Sequence, residues 1–191
     1  MDIPVPIVDL SPFYAARRKP ADIAVLTAEI DRALRDTGFL CIKGHRIAAD
    51  EVAETQREAL CFFDASDAVK QTARALRHKT RGWTPMGDHA LAYSMTGAGE
   101  RPPPDLFERY RIGPFGYADD EYHRTRADAA YAPNVWPAAM RSFETQMSAY
   151  YLSMSSLARD LLRMFALALG LDECWFDGRI DRQMSSLCLN H

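Results

Sequence analysis

Histidine and cysteine are the first residues to test for chemistry, because imidazole and thiolate bind transition metals and activate nucleophiles. His45, His78, His89, His123 and His191 are scattered along the chain. None stands in a His-x-Asp, His-x-x-x-His or His-Glu-x-x-His arrangement that would put two ligands on one ion, so spacing writes neither a metal site nor a catalytic residue in this chain. Cys41, Cys61, Cys174 and Cys188 lie equally far apart with no Cys-x-x-Cys pair; they read as reduced thiols, mostly buried in apolar runs, rather than a disulfide frame or a zinc site. Gly-x-Ser-x-Gly, the Walker loop and Gly-x-Gly-x-x-Gly are all missing. The glycines of "GDHALAYSMTGAGE" have no clear strand before them and no helix after, which argues against a phosphate cradle.

The elements that must position any site come next. With 191 residues, 48% hydrophobic and 26% charged, the chain has enough material for a buried core. A net charge of -3 offers no electrostatic reason to bind nucleic acid or an anionic membrane, so the expected partner is a small molecule. "MDIPVPIVDL" starts with an acid, has no basic leader region and is broken by prolines, so neither a signal peptide nor a membrane span is expected, and the expected address is cytoplasmic.

"PVPIVDL" suits a short edge strand. From Asp22 to Asp36, Ile23, Leu26, Ile30 and Leu34 recur at helical spacing, with Asp22 as N-cap and Gly38 just past the end. "GFLCIKGH" reads as a second strand, and "ADEVAETQREALCFFDAS" as a helix burying Val52, Leu60 and Phe63. A short helix carrying Val69 should follow Ser66 as N-cap. Between Arg81 and Asn134 glycines and prolines crowd the chain, which predicts irregular structure contributing ligand contacts rather than core. Met140, Phe143, Met147, Tyr150, Met154, Leu157, Leu161, Met164 and Ala168 then advance by threes and fours between Pro137 and Gly170. That spacing predicts one spine helix of about 50 Å with a continuous apolar stripe. "SSLCLNH", Ser185 to His191, alternates like a strand, with nothing after it to pair with.

Seven segments, "IPVPIVDLSPF", "ALRDTGFLCIKGH", "RGWTPMG", "PDLFERYRIGP", "PNVWP", "LALALGL" and "SSLCLNH", follow the order and approximate spacing of one family. By them the chain resembles the N-terminal region of the isopenicillin N synthase-like, non-haem Fe(II)- and 2-oxoglutarate-dependent oxygenases. The resemblance implies an α+β fold: an N-terminal helical segment with a long spine helix and short strands, belonging to a double-stranded β-helix (jelly-roll) enzyme whose barrel is largely missing from this chain. Residues 1–130 would be the N-terminal non-haem dioxygenase region, 131–184 the spine helix and connection, and 185–191 the start of the truncated jelly roll.

The same resemblance implies Fe(II) and 2-oxoglutarate as cofactors, bound mainly by residues beyond His191, and dioxygen with a small-molecule substrate as partners; a homodimer is compatible with it. The reaction would be hydroxylation, desaturation or cyclisation in secondary or amino-acid metabolism, and the high alanine and arginine content suggests a bacterial source. It also implies Arg81, Trp83 and Ser186 on the substrate side and Asn190 beside the cofactor, at the Asn of an Asn-x-Tyr-Pro segment whose tyrosine lies past the end here. Arg81 would meet a substrate carboxylate and Trp83 supply a flat apolar wall. Plainer explanations stand beside each. Arg81 pairs with an acid such as Glu108, Trp83 and Trp136 anchor irregular chain, Ser186 faces the other way, and His191 is an ordinary strand residue. Where the family has a lysine before the acid, this chain has Phe107 before Glu108. The alternative function is a short, non-catalytic relative serving as a binding or dimerisation module.

Overall fold

The apolar triplet Ile7–Asp9 forms the first strand, β1, in a computed structural model that describes residues 5–75, 80–88, 103–126 and 130–191. Expectations resting on His78, His89, Gly97, Gly99 and Pro102 lie outside the described residues. The chain divides into two compact units: Met1–Ala48 with Leu152–Arg182, and Ala49–Tyr151 with Gln183–His191. Among the described residues no helix is long and apolar enough to cross a membrane.

In the first unit β1 pairs in parallel with β2 (Cys41–Lys43), Val8 opposite Ile42, and α1 (Pro20–Thr37) makes the crossover that parallel strands require. Proline opens α1 because its fixed φ suits a helix start and the N–H it lacks would have no partner there. The helix therefore starts earlier than expected, and Asp22 is not its N-cap: Lys19 holds that position without a side-chain bond, while Asp22 sits in the first turn, where its charge meets the positive end of the helix dipole. Gly38 ends the helix as the spacing predicts, at φ 73, its N–H donating to the Leu34 carbonyl at 3.1 Å. Leu26 and Ile30 pack with Val8, Leu10, Phe13, Leu157 and Met164. Leu34, expected on the same stripe, is 37% exposed.

The second unit contains α2 (Ala49–Phe63), α3 (Asp67–Thr72), β3 (Gly82–Thr84), β4 (Arg109–Ile112), α4 (Glu121–Thr125) and β5 (Leu187–Asn190). On α2 the core takes Phe62 and Phe63, whereas Leu60 is 53% exposed. Ser66 precedes α3 as expected, but its hydroxyl makes no capping bond. The strands form one antiparallel sheet ordered β3-β4-β5. The terminal strand thus finds its partner upstream, in β4.

The segment expected to stay outside the core supplies two of those three strands and buries Trp83, Tyr110, Ile112 and Tyr131. Four alternating residues, Arg-Tyr-Arg-Ile, are too short a signal to stand out among prolines. The cysteines also depart from expectation: Cys41, Cys61, Cys174 and Cys188 are all exposed. A run of consecutive apolar residues must place some on each face of a helix or strand, as Cys61 beside buried Phe62 illustrates.

The spine helix, α5, spans Arg141–Ala168. Its 28 residues reach about 42 Å, shorter than predicted, because the turn after Pro137 stays outside the helix. Phe143, Met147 and Tyr151 are buried in the second unit's core and Leu157 and Met164 in the first unit's. The stripe is not continuous as drawn from the sequence, since Met154 is 38% exposed and Tyr151, not Tyr150, is buried. A strict three-four alternation drifts around a helix of about 3.6 residues per turn.

Gly82 opens β3 at φ +95, and a Cβ there would fall 2.4 Å from the backbone carbonyl oxygen of Ala73. Gly82→Ala is expected to cost about 2 kcal/mol or more, from left-handed strain plus a backbone that has to move. Chemical denaturation checks this; an alanine variant as stable as the parent would refute it.

Candidate functional site

A strand's side chains alternate between faces, and cross-strand partners share one, so the sheet register sorts every candidate residue. Trp83, Tyr110 and Leu189 are opposite one another, as are Ile112 and Leu187, and these line the core. Arg109 pairs with Asn190 and Arg111 with Cys188, so these four share the opposite, outward face. Ser186, one residue before β5, lies on it too, its Oγ 3.9 Å from Cys188 Sγ. Arg111 Nε donates to that same sulfur at 3.3 Å, a weak acceptor for a charged donor.

Arg81 reaches this side through Gly113, two residues beyond Arg111 in the β4 alternation. A Cβ on Gly113 would fall 2.0 Å from Arg81 Cζ, so only glycine leaves room for the guanidinium. Arg81 is 3% exposed; one Nη donates to the Ala130 carbonyl, the other to Thr80 Oγ1 at 3.2 Å. Its Nε, like that of Arg109, is buried without a hydrogen-bond partner among the described residues. Burial first, then the neighbouring charge of Arg111, lowers the pKa of both Arg81 and Arg109. Both remain cationic at neutral pH.

The core side is built around Glu108. Its carboxylate accepts from Trp83 Nε1 at 2.7 Å, pairs with Lys70 Nζ at 3.2 Å and lies 3.2 Å from His191 Nδ1. His191 stacks on Phe63 at 4.9 Å, and its backbone exchanges two hydrogen bonds with that of Glu108. Burial would raise the Glu108 carboxyl, but bonds from Trp83, Lys70 and His191 outweigh it and hold it below the usual range. This cluster pins the end of β5 to β4.

The structure thus brings Arg81, Ser186 and Asn190 to one side and places Trp83 on the other, 4% exposed, where it is a core residue. Arg81 does not pair with Glu108, whose contacts are taken by Lys70, Trp83 and His191. Sequence reasoning passed over Arg109 and Arg111; their only signal was the alternation in "ERYRIG". Among the described residues no group of three or more His, Cys, Asp or Glu side chains is placed to hold a metal ion, so these residues do not fit an iron centre.

Residues 5–139 match the family described as non-haem dioxygenase in morphine synthesis, N-terminal, and the chain belongs to that family, within the isopenicillin N synthase-like Fe(II)- and 2-oxoglutarate-dependent oxygenases. It is 31% identical over 178 residues to a validamycin A dioxygenase of Streptomyces hygroscopicus subsp. limoneus, covering 93% of this chain and 46% of that protein. It is 25% identical over 183 residues to a homoarginine-6-hydroxylase of Arabidopsis thaliana, covering 93% and 48%. The fold matches a 2OG-Fe(II) oxygenase family protein from Caulobacter crescentus with a TM-score of 0.76 at 21% identity, over 97% of this chain and 55% of that one. A rice dioxygenase for auxin oxidation matches with a TM-score of 0.63 at 20% identity, over 98% and 51%. The chain spans about half the length of the relatives it matches.

Proposed function

We propose that this chain is the N-terminal part of an Fe(II)- and 2-oxoglutarate-dependent dioxygenase that oxidises a small organic molecule, with iron and most contacts to 2-oxoglutarate supplied by residues other than those described. The observation that carries the reading is the sheet register. It turns Ser186 and Asn190 to the side on which Arg81 is buried, which supports a shared polar face for three of the four residues implied by family resemblance, Trp83 being the exception in the core. Ser185–His191 is then the start of the jelly roll, and Glu108 with His191 holds its direction. The names of the relatives, a validamycin A dioxygenase and a homoarginine-6-hydroxylase, support a small organic substrate. When bound, Fe(II) with 2-oxoglutarate would supply the oxidising chemistry; the role of this face is to bind and orient.

The test is the intact mass of the natively produced protein, followed on the same sample by conversion of 2-oxoglutarate to succinate with and without Fe(II). A mass well above that of 191 residues, with iron-dependent succinate formation, is the expected result. A mass equal to this chain with no turnover would overturn the oxygenase reading and leave the binding or dimerisation module.

A further inference from the structure

Among the described residues, the outward sheet face carries more positive charge than its neighbours neutralise. Arg109 and Arg111 stand two residues apart on β4, and Arg81 lies beneath the same side. None of the three belongs to an ion pair among the described residues; the ion pairs of this unit use Arg57, Lys70, Arg74, His123, Arg124 and His191 instead. Asp105 favours the charged form of Arg109, but burial and the like charge of Arg111 outweigh it. Among the described residues Arg109 Nε is buried without a partner, and Arg111 spends its Nε on a thiol sulfur. Keeping like charges together with unspent donors is unfavourable unless something anionic satisfies them.

Arg81 is already committed to the Ala130 carbonyl and to Thr80, so its charge supports the site from behind while its own fork is largely used. Among the described residues Arg109 and Arg111 keep donors without partners on a half-buried surface, flanked by the neutral polar groups of Ser186 and Asn190. At about 3.4 Å per residue their Cα atoms stand about 7 Å apart, a spacing at which two guanidinium forks can converge on one small anion.

We propose that Arg109 and Arg111 form an anion subsite that selects a primary substrate bearing a carboxylate or phosphate group, with Ser186 and Asn190 as its neutral rim. This deepens the oxygenase reading and rests on it, because it takes the outward face to be the substrate side. A guanidinium pair of this kind would discriminate by charge, rejecting the uncharged amide of an otherwise identical compound.

The experiment needs neither iron nor turnover. Binding of 4-(trifluoromethyl)benzoate to the full chain is followed by fluorine NMR, with 4-(trifluoromethyl)benzamide as the uncharged counterpart and inorganic phosphate and 2-oxoglutarate as competitors. Benzoate is expected to bind at least about ten-fold more tightly than benzamide, and to weaken several-fold as salt rises from about 50 to about 500 mM. Arg109→Gln and Arg111→Gln should each weaken it about five-fold, the double variant should abolish it, and Arg109→Lys should retain part of it. Arg124→Gln, at an exposed arginine elsewhere in the unit, should change nothing. Stronger competition by phosphate assigns the group as a phosphate, and weaker competition as a carboxylate. Equal binding of benzoate and benzamide, no binding of either anion, or unchanged binding in a folded Arg109→Gln/Arg111→Gln chain would overturn the proposal. So would binding of 2-oxoglutarate alone, which would give these arginines to the cosubstrate. Succinate formation by the natively produced protein without anion selectivity would sink this inference and spare the oxygenase reading; selective anion binding without succinate formation would overturn the oxygenase reading and, with it, the substrate role given to this anion site.

Discussion

Tyr110→Ala is expected to destabilise the unit built on Ala49–Tyr151 by about 4 kcal/mol, the range for deleting a fully buried aromatic ring. Tyr110 is 0% exposed at the centre of the middle strand, and its ring packs edge-on against Phe62 at 4.8 Å and Phe143 at 4.9 Å. Alanine would leave a cavity bordered by α2, α5 and β3, and close-packed cores collapse into such a void only in part. The hydroxyl adds a second, smaller effect. It donates to the Val135 carbonyl, and burial first, then the nearby Glu144, pushes its pKa well up, so it stays a neutral donor. Tyr110→Phe should therefore cost about 1 kcal/mol. Urea denaturation followed by circular dichroism separates the two; a Tyr110→Ala chain within about 1 kcal/mol of the parent would show that this ring does not hold the core.

Glu108→Ala should cost about 3 to 4 kcal/mol, because it leaves the Lys70 ammonium, the Trp83 indole N–H and His191 without their shared acceptor. The pair is well shielded, with Lys70 and Glu108 side chains 12% and 11% exposed. Glu108→Gln keeps an oxygen for Trp83 but strands the lysine charge, so it should fall between the parent and alanine. The pH dependence has a definite sign. Glu108 has a folded pKa below its ordinary 4.5, so its contribution is fully present above 4.5 and is lost as pH falls through the lower, folded value. Stability should therefore drop below about pH 4.5 in the parent and less in Glu108→Gln, read as the difference between their denaturation midpoints across pH 3 to 7. Parallel curves for the two proteins would mean that the carboxylate does not carry this linkage.

Clamping by Glu108 also explains why residues beyond the core matter to the outward face. Its cluster fixes the backbone of His191 against β4, and that register decides where Ser186, Cys188 and Asn190 point. A one-residue slip would turn all three toward the core and bring Leu187 and Leu189 out. Glu108 is thus a positioning residue for the face that Arg109 and Arg111 make cationic.

Much was legible from local signals. Gly38 as the end of the first helix, the strand at Cys41–Lys43, the existence of the spine helix and the family itself follow from patterns within a few turns of chain, where propensity and periodicity act directly. Tertiary structure alone decided the rest. Trp83 faces the core and Ser186 faces outward because β3, β4 and β5 pair across 24 and 74 residues of intervening chain, and in strands of three or four residues only that pairing chooses the face. Arg81 is buried because Gly113, distant in sequence, leaves a space where a side chain would stand, and Arg109 and Arg111 become one cationic group only once the sheet sets them over it. Helices announce themselves through local hydrogen bonds and a local period, whereas a sheet face exists only after distant segments have met.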